Sequence, residues 1–221
     1  DYSSSNLGSI NVYSFVRNKF STDAFFDYKA FAQTVVKGVF ALNDVLSYGY
    51  DKQPLPENKK CIDDWRQIGL GLFGLADAMV ALRIKYGSEE SIKFVDKLLK
   101  VMHDTALKAS VGEAIKFGSY GKFYKGILPT IDKDLMTPEE LEDVEKYGMA
   151  NASLLSIAPT GSMSLFMGNY TGGCEPIFKL YYDRSTHKME KTGDHFRVYA
   201  RSIEDLLKYY NCPLNMTVEE I

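Results

Sequence analysis

The sequence is poor in the residues that mark disulfide-rich or zinc-binding proteins. It has only three cysteines, Cys61, Cys174 and Cys212, which are too few and too scattered for a disulfide scaffold. The three histidines do not stand with them at zinc-ligand spacing. We therefore expect no metal site, and we expect a reducing, cytoplasmic setting.

Long apolar runs and a strong net charge are also missing. The stretch 68–80 is too short to span a bilayer and is interrupted by glycines and by Asp77. No signal peptide pattern is present. The net charge of −3 gives no electrostatic attraction toward nucleic acid or an anionic membrane, so we expect neither as a partner. The remaining composition, 45% hydrophobic and 25% charged, is that of an ordinary globular protein.

Hydrophobic periodicity predicts a helix-rich α/β fold. Apolar spacings of three and four residues, with capping residues at the helix starts, predict helices at Asp27–Ser47, Ser88–Phe117, Thr137–Tyr147 and Ile203–Tyr210. Strands are predicted in the first part of Leu7–Val16, at Ser153–Ala158 and at Pro176–Tyr182, with loops at Gly49–Glu57 and Gly118–Leu128. Strands separated by helices favour parallel pairing through helical crossovers.

Glycines 69, 71 and 74 match the spacing of a dinucleotide-binding fingerprint. That fingerprint also needs an acidic residue at the end of the next strand, about twenty residues further on. Here residues 85–88 start another helix instead. Close approach between a helix and a strand is the better explanation of these glycines.

A second glycine-containing segment could bind an anion. A short apolar strand ends at Pro159, and Thr160, Gly161, Ser162 and Ser164 follow. Gly161 would let the backbone approach a ligand closely, and free N–H groups at a helix start point toward negative charge. The same residues are typical of a capped turn after a strand. From the residues alone both interpretations stay open, and the capped turn is favoured.

Four segments, in the same order, resemble the large catalytic subunit of ribonucleotide reductase. Residues 157–164 are similar to the substrate-phosphate loop of that family, and 171–178 to its Gly-Ile-Glu-Pro-type stretch. Residues 6–11 resemble the first strand of the second half of the ten-stranded α/β barrel, and 66–77 lie between, as in the family. The resemblance implies a partial barrel without the finger loop and the last strand, with residues 1–221 as a single domain.

The resemblance also implies a function. The family is an oxidoreductase that reduces ribonucleotides to deoxyribonucleotides by thiyl-radical chemistry, and it serves deoxyribonucleotide biosynthesis for DNA replication. The residues expected to hold the substrate diphosphate or triphosphate are Pro159, Thr160, Gly161, Ser162 and Met163, with Ser164 assisting.

No catalytic residue is implied within the chain itself. The radical cysteine is expected before Asn6, and Ser5 stands where the family has a redox cysteine. Because the radical cysteine is missing, we expect the isolated chain to be inactive. A hydroxyl cannot form a disulfide, so Ser5 does not support redox turnover at its position. An engineered change, natural divergence and a shifted alignment all stay open for Ser5. Cys174 stands where an aliphatic residue is common, which predicts a small buried side chain.

Two tyrosine pairs and the chain end complete the predictions. Tyr181-Tyr182 and Tyr209-Tyr210 invite comparison with radical-transfer tyrosines, but packing is the preferred interpretation. Residues 217–220 form a capping box, which predicts a helix that starts at the end of the sequence. The chain is therefore expected to be cut from a longer protein, with a frayed natural tail as the alternative.

The implied partners are the remainder of the reductase, a ribonucleoside diphosphate or triphosphate, a thioredoxin-type reductant and a second copy of the chain. No cofactor is expected within this chain; the full enzyme would need adenosylcobalamin or a metal-bearing radical subunit. Two alternatives stay open. One is a non-catalytic nucleotide-binding or assembly module of a split or divergent reductase, and the other is an unrelated α/β protein that binds phosphate ligands.

Overall fold

A computed structural model of the chain describes residues 3, 5–125, 127, 135–185 and 195–221. The helices are α1 (Tyr28–Tyr48), α2 (Pro56–Trp65), α3 (Leu75–Ala81), α4 (Glu89–Phe117), α5 (Pro138–Tyr147), α6 (Gly161–Phe166) and α7 (Arg201–Tyr209). The strands are β1 (Asn6–Asn11), β2 (Val16–Arg17), β3 (Phe25–Phe26), β4 (Ile68–Phe73), β5 (Tyr181–Ser185) and β6 (His195–Tyr199). The predicted helix-rich α/β class is confirmed.

The chain forms two compact units. The first consists of Asp1–Ile10, Tyr28–Gly71 and Phe94–Ala158. The second consists of Asn11–Asp27, Leu72–Lys93 and Pro159–Ile221. The expected single domain over residues 1–221 stays a prediction.

A short sheet in the first unit is centred on β4. The hydrogen-bonded neighbour of β4 is β1, and Leu155 forms a parallel bridge to Leu70. Leu70 donates its N–H to the carbonyl of Leu154 at 2.8 Å and accepts a bond from the N–H of Ser156 at 3.1 Å. The segment predicted as a strand at Ser153–Ala158 therefore lies as a parallel neighbour along β4.

The glycines of β4 allow this close packing. A Cβ on Gly71 would lie 2.3 Å from the carbonyl oxygen of Ser156, and one on Gly69 would lie 2.5 Å from the side chain of Leu7. The Gly71 contact is with backbone and cannot be relieved without a backbone shift, so this position requires glycine. At Gly69 the nearest atom belongs to the Leu7 side chain, which would have to move. The predicted close approach is present, although the neighbours are extended segments and not a helix.

The predicted helices of the first unit lie close to their expected positions. Helix α1 buries Phe31, Val35, Val39 and Leu46, which follow the predicted apolar spacing. At the start of α5, Thr137 Oγ1 accepts a bond from the N–H of Glu140 at 3.2 Å. The Glu140 carboxylate accepts the N–H of Thr137 at 2.9 Å, so the predicted capping box is confirmed.

The second unit is built around α3 and α7. Helix α3 packs against α7 and against the short 3-10 helix Val12–Phe15. The antiparallel hairpin β5–β6 pairs Tyr181 with Tyr199, and Tyr199 lies in a buried cluster with Ile203 and Leu207 of α7. Among the described residues, no helix is long and apolar enough to cross a membrane.

Several predicted boundaries are wrong. Pro56 was predicted to lie in a loop but begins α2, because proline is well tolerated in the first turn of a helix. By contrast, the first strand, Asn6–Asn11, covers the first part of Leu7–Val16 as predicted. The strand predicted at Pro176–Tyr182 begins only at Tyr181, where pairing with β6 starts. The capping box at residues 217–220 forms a single turn, with the N–H of Ile221 bonded to the carbonyl of Thr217. Residues 126 and 128 of the predicted loop lie outside the described residues.

Candidate functional site

The segment Pro159–Ser164 lies in the second unit, where its first two residues precede α6 and the other four form the first turn of that helix. Thr160 precedes the helix with φ +53°, in the left-handed region, and its carbonyl accepts the N–H of Ser164 at 2.8 Å. The N–H groups of Gly161, Ser162 and Met163 have no acceptor among the residues that the structure describes. Such unpaired N–H groups at a helix start attract anions.

The three hydroxyl groups of this segment have different surroundings. Ser162 is exposed and has no bonded partner in the described part of the chain. The Thr160 oxygen accepts a bond from the N–H of Gly173 at 3.1 Å, which leaves its own proton free to donate. Ser164 is only 3% exposed, and its hydroxyl donates to the carbonyl of Gly161 at 3.3 Å. Ser162 and Thr160 can therefore face a ligand, whereas Ser164 is committed to its own helix.

The loop that follows α6 packs directly on this segment. A Cβ on Gly172 would lie 2.3 Å from the carbonyl oxygen of Pro159. With the bond from Gly173 to Thr160, this contact joins two motifs that the sequence identifies separately. The glycines at 172 and 173 are both buried in the contact.

A third motif, Gly74–Asp77, supports the same loop. The N–H of Gly74 donates to the carbonyl of Thr171 at 2.7 Å. The Asp77 carboxylate accepts the N–H of Thr171 at 2.7 Å and its hydroxyl at 3.0 Å. The carboxylate also accepts the N–H of Ser202, at the start of α7. Asp77 is fully buried, and its role could not be predicted from the sequence because these partners are 94 and 125 positions away.

The end of β1 also contacts the Gly74–Asp77 segment. Asn11 accepts the N–H of Tyr13 on its side-chain oxygen, and that oxygen would be 2.8 Å from a Cβ on Gly74. Gly74 has φ +71°, which also favours glycine. The second unit thus brings together residues from all four motifs on which the resemblance was based.

A cavity of about 400 Å³ opens beside α6. Its wall is mostly apolar and includes Leu165, Tyr170, Ile177, Phe178 and Tyr182. The charged groups at the cavity are Glu175 and Lys179, both exposed. Neither touches Pro159–Thr160 through any bond found in the described residues.

The tyrosines of this unit pack against other rings. Tyr181 lies 5.5 Å from Tyr199, and Tyr209 lies 5.7 Å from Phe20, between ring centres. Burial, and then the hydrogen bond to Asp205 at 2.7 Å, raise the pKa of Tyr13 well above its ordinary value. The Tyr13 hydroxyl therefore stays protonated at alkaline pH values at which an exposed tyrosine loses its proton.

The structure tests the prediction for Cys174. Cys174 is exposed, so the prediction of a small buried side chain is wrong. The buried residues of its loop are Gly172 and Gly173. Ser5 is exposed just before β1. In the described ranges, no three His, Cys, Asp or Glu side chains come together as a metal site.

Comparisons with known proteins agree on one family. Residues 1–220 match the description "Ribonucleotide reductase, barrel domain". The ribonucleoside-diphosphate reductase large chain of Cryptosporidium parvum is 32% identical over 92% of this chain and 26% of its own length. A vitamin B12-dependent ribonucleoside-diphosphate reductase of Thermoplasma acidophilum is 32% identical, over 83% of this chain and 21% of its own length.

A bacterial relative has a similar identity and also covers most of this chain. The ribonucleoside-diphosphate reductase subunit alpha of Chlamydia pneumoniae is 29% identical over 85% of this chain and 19% of its own length. The chain thus spans about a fifth to a quarter of the relatives that it matches.

Proposed function

The chain belongs to the ribonucleotide reductase large-subunit family, and we propose that its segment Pro159–Ser164 holds the phosphate groups of a ribonucleotide substrate. The observation that supports this most is the set of three unpaired N–H groups at Gly161, Ser162 and Met163. A hydrogen bond to a charged acceptor contributes about 1.5–3 kcal/mol, so three such donors form a useful phosphate site.

The proposed site uses neutral donors only. Residues 159–173 contain no lysine or arginine. Binding would then rest on backbone N–H groups, on the partial positive charge of the helix start, and on the hydroxyls of Thr160 and Ser162. Ser164 would act indirectly, by holding the carbonyl of Gly161 within the turn.

The activity of the whole protein is proposed from the family. We propose that the complete catalytic subunit reduces a ribonucleoside diphosphate or triphosphate by thiyl-radical chemistry. The radical cysteine would lie outside this sequence, and Ser5 would occupy the position of one redox cysteine. The present chain would then contribute the phosphate end of the substrate site and no redox group.

The source of the radical stays open within this proposal. One relative is named vitamin B12-dependent, and two others are not. The complete enzyme would need adenosylcobalamin or a metal-bearing radical subunit.

Exposed apolar side chains in the second unit favour the presence of a binding partner. Phe166 is 92% exposed and Phe178 is 79% exposed, which is unusual for large aromatic residues unless another surface covers them. The remainder of the reductase is the partner that we propose, with a second copy of the chain and a thioredoxin-type reductant for the complete enzyme. A cytoplasmic location is proposed with them.

A second candidate function is a non-catalytic nucleotide-binding or assembly module. Ser5 favours it, because a hydroxyl at the expected redox position cannot exchange electrons through a disulfide. Dithiol-dependent ribonucleotide reduction by the complete wild-type subunit distinguishes the two candidates. Reduction by the wild type would support the reductase. No reduction by the wild type would support the module, and a gain in Ser5→Cys would then identify Ser5 as the cause.

Calorimetric titration tests the phosphate site itself. We expect the chain to bind adenosine diphosphate at least tenfold more tightly than adenosine, because only the diphosphate reaches the N–H groups. Ser162→Ala should weaken diphosphate binding by about tenfold, or about 1.4 kcal/mol, while Ser14→Ala, at an exposed serine outside the site, should not. Equal affinity for the two ligands would contradict the proposal.

A further inference from the structure

The buried carboxylate of Asp77 accepts three hydrogen bonds near the proposed phosphate site. It accepts bonds from the N–H and the hydroxyl of Thr171 at 2.7 and 3.0 Å, and from the N–H of Ser202 at 3.0 Å. The side chain is fully buried in the first turn of α3. Hydrogen bonds to a buried carboxylate are among the stronger ones in proteins, so these three fix the positions of their donors.

Thr171 is held on both sides of its backbone. Its N–H and hydroxyl donate to Asp77, and its carbonyl accepts the N–H of Gly74 at 2.7 Å. Because Gly74 and Asp77 belong to one short segment, Thr171 cannot shift without breaking at least one of these bonds. The segment therefore acts as a fixed support for the loop after α6.

The next two residues, Gly172 and Gly173, connect Thr171 to the phosphate segment. Gly172 lies so close to the carbonyl of Pro159 that a Cβ would be 2.3 Å away. Gly173 donates its N–H to Thr160, which directly precedes the unpaired N–H groups of Gly161 to Met163. Only two contacts thus separate Asp77 from the proposed ligand donors.

We infer that Asp77 is a positioning residue for the phosphate segment, which it orients through Thr171 and the Gly172–Gly173 turn without touching the substrate. The inference rests on the proposed function. The inference adds to that function that a carboxylate in a different motif sets the positions of the N–H donors.

A purely architectural role is the competing explanation, since Asp77 also joins α3 to α7 through Ser202. Asp205 supplies the matched control. It lies on α7, accepts bonds from Tyr13 at 2.7 Å and Arg201 at 3.1 Å, and makes no bond to residues 159–173 within the described structure. Asp77→Asn and Asp205→Asn each change one carboxylate of the same unit to an amide.

The experiment measures two quantities on the 221-residue chain. Calorimetry gives the affinity for adenosine diphosphate, and ¹H–¹⁵N spectra give the free-state amide shifts of Gly161, Ser162 and Met163. We expect Asp77→Asn to weaken binding at least tenfold and to shift these amides before ligand is added. Asp205→Asn should change affinity less than twofold and leave the three amides in place.

Thr171→Val keeps the inference testable if Asp77→Asn fails to fold. It removes only the hydroxyl bond to Asp77, and we expect a three- to fivefold weaker affinity, with Thr171→Ser restoring the wild-type value. Equal weakening in the Asp77 and Asp205 variants, or wild-type affinity in Thr171→Val, overturns the inference alone. A wild-type chain that does not bind the diphosphate overturns the proposed function, and the inference with it.

Discussion

The hydroxyl oxygen of Thr160 accepts a hydrogen bond from the backbone nitrogen of Gly173 at 3.1 Å. This bond connects the start of α6 to a glycine turn thirteen residues later. Thr160 adopts φ +53°, a left-handed conformation that costs an ordinary residue about 1–2 kcal/mol. The bond to Gly173 and the packing of Gly172 on Pro159 hold it there.

Loss of this hydroxyl should destabilise the second unit. Thr160→Val keeps the β-branched shape but leaves the buried N–H of Gly173 without its acceptor. We expect the free energy of unfolding to fall by about 1–3 kcal/mol, as measured by urea denaturation. Thr160→Ser retains the oxygen and is expected to stay within about 0.5 kcal/mol of wild type. Equal stability of the two variants would show that the bond contributes nothing.

The two glycines at positions 161 and 172 should respond differently to a methyl group. Gly172→Ala places a Cβ 2.3 Å from a backbone oxygen, and we expect a loss of about 1–3 kcal/mol in urea denaturation. Gly161→Ala meets nothing within 4 Å and should leave stability unchanged or slightly higher. Its methyl group would still crowd a bound phosphate, so diphosphate affinity should fall. Unchanged affinity would argue against close approach at Gly161.

Ser164 is expected to affect stability more than ligand affinity. Ser164→Ala removes the buried hydroxyl that donates to the carbonyl of Gly161, which should cost about 1 kcal/mol in thermal or urea unfolding. Affinity for adenosine diphosphate should fall less than it does in Ser162→Ala. The opposite order would place the Ser164 hydroxyl on the ligand and contradict the assignment made from its burial.

Tyr13 should make stability depend on alkaline pH. Because burial and the bond to Asp205 raise its pKa in the folded state, its contribution is fully present below the unfolded pKa of about 10. Above that pH the unfolded chain loses the phenol proton first, so stability falls by up to about 1.4 kcal/mol per pH unit. Urea denaturation between pH 8 and 11.5 should show this slope reduced in Tyr13→Phe. Identical slopes in both proteins would refute it.

Much of the fold could be predicted from local patterns. The apolar spacing of α1 and the capping box at Thr137 are short-range signals, and both match the structure closely. Pro56 was assigned to a loop because proline is ambiguous between a turn and the first position of a helix. The strand predicted from Pro176 was wrong because an apolar run does not reveal where a pairing partner begins, and pairing with β6 starts only at Tyr181.

Part of the candidate site could also be predicted from the sequence, and part could not. Residues 159–164 were identified from their sequence and their resemblance to a family, whereas Asp77 could not be assigned a role. Its bonds to Thr171 and Ser202 join residues 94 and 125 positions apart, and only the folded chain brings them together. The exposure of Cys174 could not be predicted either, because it depends on how its loop packs, with Gly172 against Pro159 and Gly173 bonded to Thr160.

The most direct test of the central claim is an amide-resolved titration of the wild-type chain with adenosine diphosphate, followed by ¹H–¹⁵N spectra. If Pro159–Ser164 holds the phosphates, the amides of Gly161, Ser162 and Met163 should show the largest shifts, and adenosine should not reproduce them. Saturable shifts confined to other residues, or no shifts at these three amides at saturating diphosphate, would contradict the account.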